Sequence, residues 1–127
     1  MANLLIVDDT VDACDMLGRL FGRLGHNAVC VYGGREVLAA VRGLSFQLVL
    51  LDVMMPGLDG FDVLRAIRGA AEPGVARTPV AMYTALCDPV LRERALAMGA
   101  NEWIVKGTPF PLLHRRLECF LGASGHR

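Results

Sequence analysis

The chain has 127 residues, the size of one ordinary domain, and 54% of them are hydrophobic, which fills a core and excludes a disordered chain. Formal net charge is zero and no basic stripe stands out, so direct nucleic-acid binding finds no support. No apolar run is long enough for an export signal or a membrane span, and Cys14, Cys30, Cys87 and Cys119 form no CxxC pair.

The residues then alternate between two periods. Leu4–Val7 is a short apolar run that Asp8 and Asp9 end at once. Val11, Cys14, Leu17, Phe21 and Leu24 recur every three to four residues and predict a helix, in which Gly18 and Gly22 are tolerated. Ala28–Val31 predicts a second strand, followed by a helix over 34–41. Leu48–Leu51 is the most apolar strand, and Asp52 closes it. Phe61, Leu64 and Ile67 mark a third helix. Val80–Tyr83 leads to Thr84, and Asp88-Pro89 then opens a helix with an N-cap and a proline at its first position. Leu91, Ala95 and Met98 form its inner stripe. Trp103–Val105 ends at Lys106, and Thr108-Pro109 opens the last helix in the same way, with Phe110, Leu113, Leu117 and Phe120 inward.

Five βα units of this kind predict an α/β fold: a doubly wound, five-stranded parallel sheet, (βα)5, flavodoxin-like, in the order 2-1-3-4-5. We expect one domain over 1–127, with a core over 3–121 and a tail over 122–127. The cysteines are expected to be reduced and mostly buried or half-buried, which fits a cytoplasmic location.

In such sheets the chemistry lies beyond the carboxyl ends of the strands. There the sequence places Asp8, Asp9, Asp52, Thr84 and Lys106. Taken alone, Asp9 and Asp88 read as helix caps, and Asp8 fits a solvated loop residue equally well. Asp52 ends an apolar strand, where an unpartnered acid is expensive. Three converging carboxylates repel one another, and a hard divalent cation removes the conflict. Against twelve arginines Lys106 is the only lysine, a point charge suited to a phosphate oxygen. A nucleophile, a cation site, a hydroxyl and an ammonium are the parts of a phosphoryl-transfer site.

Over essentially the whole chain this pattern resembles the receiver domain of two-component response regulators. Leu4-Leu5-Ile6-Val7-Asp8-Asp9 and Leu51-Asp52-Val53-Met54-Met55-Pro56-Gly57-Leu58-Asp59-Gly60 carry the likeness most specifically. The resemblance implies that Asp52 is the phosphoacceptor. It implies that Asp8, Asp9, Asp52 and the Met54 backbone carbonyl hold Mg²⁺, with Mn²⁺ as a substitute, Asp9 being a more direct ligand than Asp8. Thr84, Ala85 and Lys106 would contact the phosphoryl group, and Thr84 and Trp103 would be switch or interface residues. The donor would be a histidine kinase or a histidine phosphotransfer protein. The response would be a change in the face made by the fourth predicted helix, the fifth strand and the fifth predicted helix, read by an output partner. No enzyme activity beyond the domain's own phosphorylation and dephosphorylation is implied.

Two positions depart from the family pattern. Gly107 stands where proline usually follows the lysine, so we expect a trans Lys106–Gly107 bond and a looser loop. Trp103 is larger than the usual Tyr or Phe, so we expect it to stay outward or to act as a fixed contact. The alternatives are weaker. A haloacid-dehalogenase-like phosphatase needs acids two residues apart after the first strand, where this chain has Asp8-Asp9-Thr10-Val11. A flavodoxin-like cofactor site needs a phosphate cradle there, and the two acids repel phosphate. A pseudo-receiver, acting as an interaction module without phosphorylation, draws on Gly107 alone.

Overall fold

The computed structural model describes residues 2–122, so positions 123–127 of the expected tail lie outside the described residues. The elements run β1 (Asn3–Val7), α1 (Val11–Arg23), β2 (Asn27–Val31), α2 (Arg35–Gly43), β3 (Leu48–Asp52), α3 (Gly60–Arg68), α4 (Pro73–Ala76), β4 (Val80–Thr84), α5 (Pro89–Ala97), β5 (Glu102–Val105) and α6 (Phe110–Leu121). All strand pairs are parallel, in the order β2-β1-β3-β4-β5, as the alternation predicts. No helix among the described residues is long and apolar enough to cross a membrane.

Strand alternation sorts the core into two layers. Leu5, Val7, Val49, Leu51, Val80, Met82 and Trp103 join α2, α3 and α5 on one face. Leu4, Ile6, Leu48, Leu50, Ala81 and Ile104 meet α1 and α6 on the other. Burial on both faces explains why β3 reads as an unbroken apolar run.

Several local expectations change. The first helix buries Cys14, Leu17 and Phe21, but Val11 and Leu24, at the ends of its stripe, are exposed. Only Cys14 is buried and Cys30 half-buried; Cys87 and Cys119 are exposed, because they sit on a loop and on the outer side of α6. The single turn α4 has no sequence periodicity, since Val75 alone faces inward. Thr108 does not cap α6. Its hydroxyl donates to the Val105 carbonyl, and Pro109 takes the N-cap place. Asp88 does cap α5, accepting from the Val90 amide at 2.9 Å.

Two features hold α3, whose start rests on the end of β3 from which the site is built. Arg68, at the end of α3, donates to the carbonyls of Gly99, Ala76 and Thr78 and to the Asn101 side chain, so one guanidinium ties α3 to α4, β4 and the start of β5. At the other end, α3 begins against β3 itself. The Gly60 amide donates to Val53 at 2.9 Å, and Asp59 and Asp62 form a reciprocal capping box. A Cβ on Gly60 would lie 2.6 Å from the Asp52 carbonyl oxygen and 2.8 Å from the Val53 Cα. Backbone cannot swing aside as a flexible side chain does, so Gly60→Ala must push α3 off the strand. Urea unfolding should show a loss of about 1–3 kcal/mol; unchanged stability would mean that α3 does not rest on β3 this closely.

Candidate phosphoacceptor site

The register places the site. Val7 pairs with Leu51, so Asp8 and Asp52 emerge side by side from β1 and β3. Asp52 pairs with Tyr83 and Thr84 with Val105, which brings Thr84 and Lys106 to the same edge. Parallel strands in register thus collect residues nearly one hundred positions apart.

The carboxylates of Asp8, Asp9 and Asp52 each offer an oxygen within 4.8 Å of the others. Asp8 and Asp52 are buried, at 2% and 4% exposure, while Asp9 is exposed. Asp8 is therefore not the solvated loop residue its sequence position suggests. Its Oδ1 accepts from the Thr10 amide at 2.9 Å, and its Oδ2 from Lys106 Nζ at 2.9 Å. Lys106 Nζ also lies 3.3 Å from Asp52 Oδ2. Asp52 Oδ1 accepts from the Met54 amide at 3.3 Å. Asp9 does not cap α1; the N-cap is Thr10, with no side-chain cap bond.

One ammonium cannot neutralise three carboxylates, and two of the three are out of water. Burial pushes the Asp52 carboxyl above its ordinary range; the Lys106 charge and the Met54 amide pull it back, the Asp8 charge adds to the rise, and the net direction is up. For Lys106, burial acts to lower the ammonium, but the Asp8 hydrogen bond and the Asp52 and Asp8 charges outweigh it and raise it. A cluster of hard oxygen donors with surplus negative charge fits a divalent cation such as Mg²⁺.

Thr84 is fully buried, and its Oγ1 accepts from the Leu86 amide at 3.1 Å, while exposed Ala85 continues that turn. The Lys106 amide donates to the Thr84 carbonyl at 2.7 Å, tying β5 to β4 at the site. The expected looser loop is instead a tight turn. No cis peptide occurs among the described residues, and Gly107 takes φ +98°. Both the amide and the hydroxyl of Thr108 donate to the Val105 carbonyl, at 3.2 and 2.7 Å.

Trp103 is buried rather than outward, at 5% exposure, and packs against Phe61 with ring centroids 6.4 Å apart. Its core layer includes the small Ala95 and Ala100. An indole that buries about 150–250 Å² contributes roughly 4–6 kcal/mol at about 25 cal/mol/Å². Three neighbours had no role at the site predicted from the residues. Tyr83, taken only as a strand residue, lies with its ring 5.9 Å from Lys106 Nζ. Gly60 ends the motif containing Asp52, and Phe61 follows it directly. The Asp59-Gly60 pair, an N-cap followed by the least bulky residue, is the signal for close helix–strand approach.

Residues 4–118 match the family model for the response regulator receiver domain. The chain belongs to that family. Among curated relatives, the DNA-binding response regulator MtrA of Mycobacterium leprae is 39% identical over 103 residues, 81% of this chain and 44% of that protein. The gliding motility regulatory protein of Myxococcus xanthus is 38% identical over 104 residues, 82% of this chain and 13% of that protein. The receiver thus spans less than half the length of the curated relatives it matches. Among solved structures, chemotaxis protein CheY4 of Vibrio cholerae superposes with TM-score 0.87 at 30% identity, covering 95% of this receiver and 99% of that chain. The BeF3-activated N-terminal receiver domain of Klebsiella pneumoniae RstA gives 0.84 at 27% identity, with 93% and 97% covered. Receivers of this family are signalling domains that work with histidine kinases and output domains.

The folded receiver holds the Asp52 proton to higher pH than the unfolded chain, so stability falls as pH rises from the ordinary carboxylate value through the raised one. In EDTA at neutral pH, Asp52→Asn should therefore melt a few degrees above wild type, with the gap closing in acid below that window; saturating Mg²⁺ should raise the wild-type midpoint, by mass action. A lower midpoint for Asp52→Asn in EDTA would contradict this. Restoring the family proline with Gly107→Pro should destabilise by more than about 1–2 kcal/mol in urea melts, since proline holds φ near −65°. A neutral effect would refute the turn.

Proposed function

We propose that this receiver accepts a phosphoryl group on Asp52 from a phosphohistidine donor, a histidine kinase or histidine phosphotransfer protein, in a Mg²⁺-dependent reaction. The supporting observation is the cluster itself: three carboxylates with oxygens within 4.8 Å, and the only lysine of the chain set between the two buried ones.

In this reading Asp8, Asp9, Asp52 and the Met54 carbonyl hold the cation, and Mn²⁺ substitutes. The cation supplies positive charge against the carboxylates and the phosphoryl oxygens. An oxygen of Asp52 attacks phosphorus. The bond from phosphorus to the donor imidazole nitrogen breaks, and its electron pair leaves on that nitrogen. Asp52 becomes an acyl phosphate. Lys106 moves from its paired carboxylates to a phosphoryl oxygen. Thr84 keeps its own hydroxyl proton to donate while its oxygen holds the Leu86 amide, and Ala85 lies in the same turn. The new charge biases the face formed by α5, β5 and α6, which an output partner reads. The domain catalyses only the gain and loss of its own phosphoryl group.

The pseudo-receiver alternative leans on Gly107. That residue supports a tight turn, and Lys106 beside it sits within 3.3 Å of Asp52.

Incubation with a small phosphodonor and Mg²⁺ should add the mass of one phosphoryl group to the wild type. EDTA or Asp52→Asn should abolish the gain. No gain in the wild type would sink the proposal, and equal gain in the variant would move the acceptor to another residue.

A further inference from the structure

The notable feature beyond the acid cluster is the stack that holds Trp103. Its ring meets Phe61 of α3 at 6.4 Å between centroids, tilted by 39°. Phe61 is itself buried, and the Arg94 guanidinium of α5 lies 4.5 Å from its ring centroid. From the other side, Arg116 of α6 is paired with Glu102 and donates to the Trp103 carbonyl at 3.3 Å. Backbone and ring are thus gripped from separate elements.

Lack of space outside does not force the indole inward. A groove of about 450 Å³, walled in part by Trp103 and edged by Pro89, Arg92, Val105 and Arg116, lies open beside it. The ring stays buried with room available. A ligand shifts only an equilibrium that has two populated or accessible states.

We propose that Phe61 and Arg94 are positioning residues that lock Trp103 inward before any phosphoryl group arrives, so that in this receiver the β5 aromatic does not report the charge on Asp52. The signal then leaves through the Thr84 turn and the ends of β4 and β5, while the aromatic part of the α5–β5–α6 face is preset. This inference rests on the receiver reading for what it says of signalling, but the lock itself is a property of the metal-free fold.

Trp103 is the only tryptophan, so acrylamide quenching reads it alone. In EDTA the wild type should show blue-shifted emission and weak quenching. Mg²⁺ with beryllofluoride should leave both unchanged while raising the melting midpoint. Arg94→Ala and Phe61→Leu should raise the quenching constant in EDTA by about twofold or more, and beryllofluoride should then lower it again. Arg94→Lys should restore much of the protection, since it keeps a cation over the ring.

Strong quenching of metal-free wild type that falls with beryllofluoride would overturn the lock. So would quenching unchanged by both Arg94→Ala and Phe61→Leu. A wild-type midpoint unmoved by Mg²⁺ and beryllofluoride would count against the phosphoacceptor reading instead, and the EDTA measurements would still decide the lock.

Discussion

Lys106 holds together a site that would otherwise push itself apart. Its ammonium lies 2.9 Å from Asp8 and 3.3 Å from Asp52, and so joins the ends of β5, β1 and β3. With it in place, two buried acids tolerate each other and a third, exposed acid at the rim. The compensation is partial. Two negative charges remain over if all three acids ionise, and burial raises the Asp52 carboxyl. The three carboxylates therefore leave surplus negative charge at the point where a cation and an electrophile would be welcome. Preorganised charge of this kind is how a site does chemistry with little motion.

The sheet is what makes the arrangement affordable. Register alone lines up Asp8, Asp52, Thr84 and Lys106, because each lies at or just past the end of a parallel strand. The close seat of Gly60 on the Asp52–Val53 backbone fixes the end of β3, and the Arg68 clamp ties the far end of α3 to α4 and to the segments that lead into β4 and β5. Bulk at Gly60 reaches the site through backbone position, without touching a carboxylate.

Much of this was legible in the residues. Continuous apolar runs ending in Asp, Thr or Lys gave strand positions, sheet class and the acid cluster, since a strand buried on both faces has one readable period and one wet end. What escaped notice depended on long-range packing. α4 is one turn with a single inward residue. Thr108 looked like a cap, yet its hydroxyl is nearer the Val105 carbonyl. Gly107 looked like a loosened loop, but its positive φ permits a turn that proline would forbid. Trp103 was expected outward or as a fixed contact; Phe61, distant in sequence, packs against its ring, and Arg94 lies over Phe61. None of these pairings leaves a local periodic trace.

The central claim is that Asp52, among three neighbouring acids, is the one that carries the phosphoryl group. Borohydride reduction converts an acyl phosphate to an alcohol, which tandem mass spectrometry locates by residue. After treatment with a phosphodonor and Mg²⁺, the modified residue should be position 52 alone. Modification at Asp8 or Asp9, or at none of the three, would contradict the account.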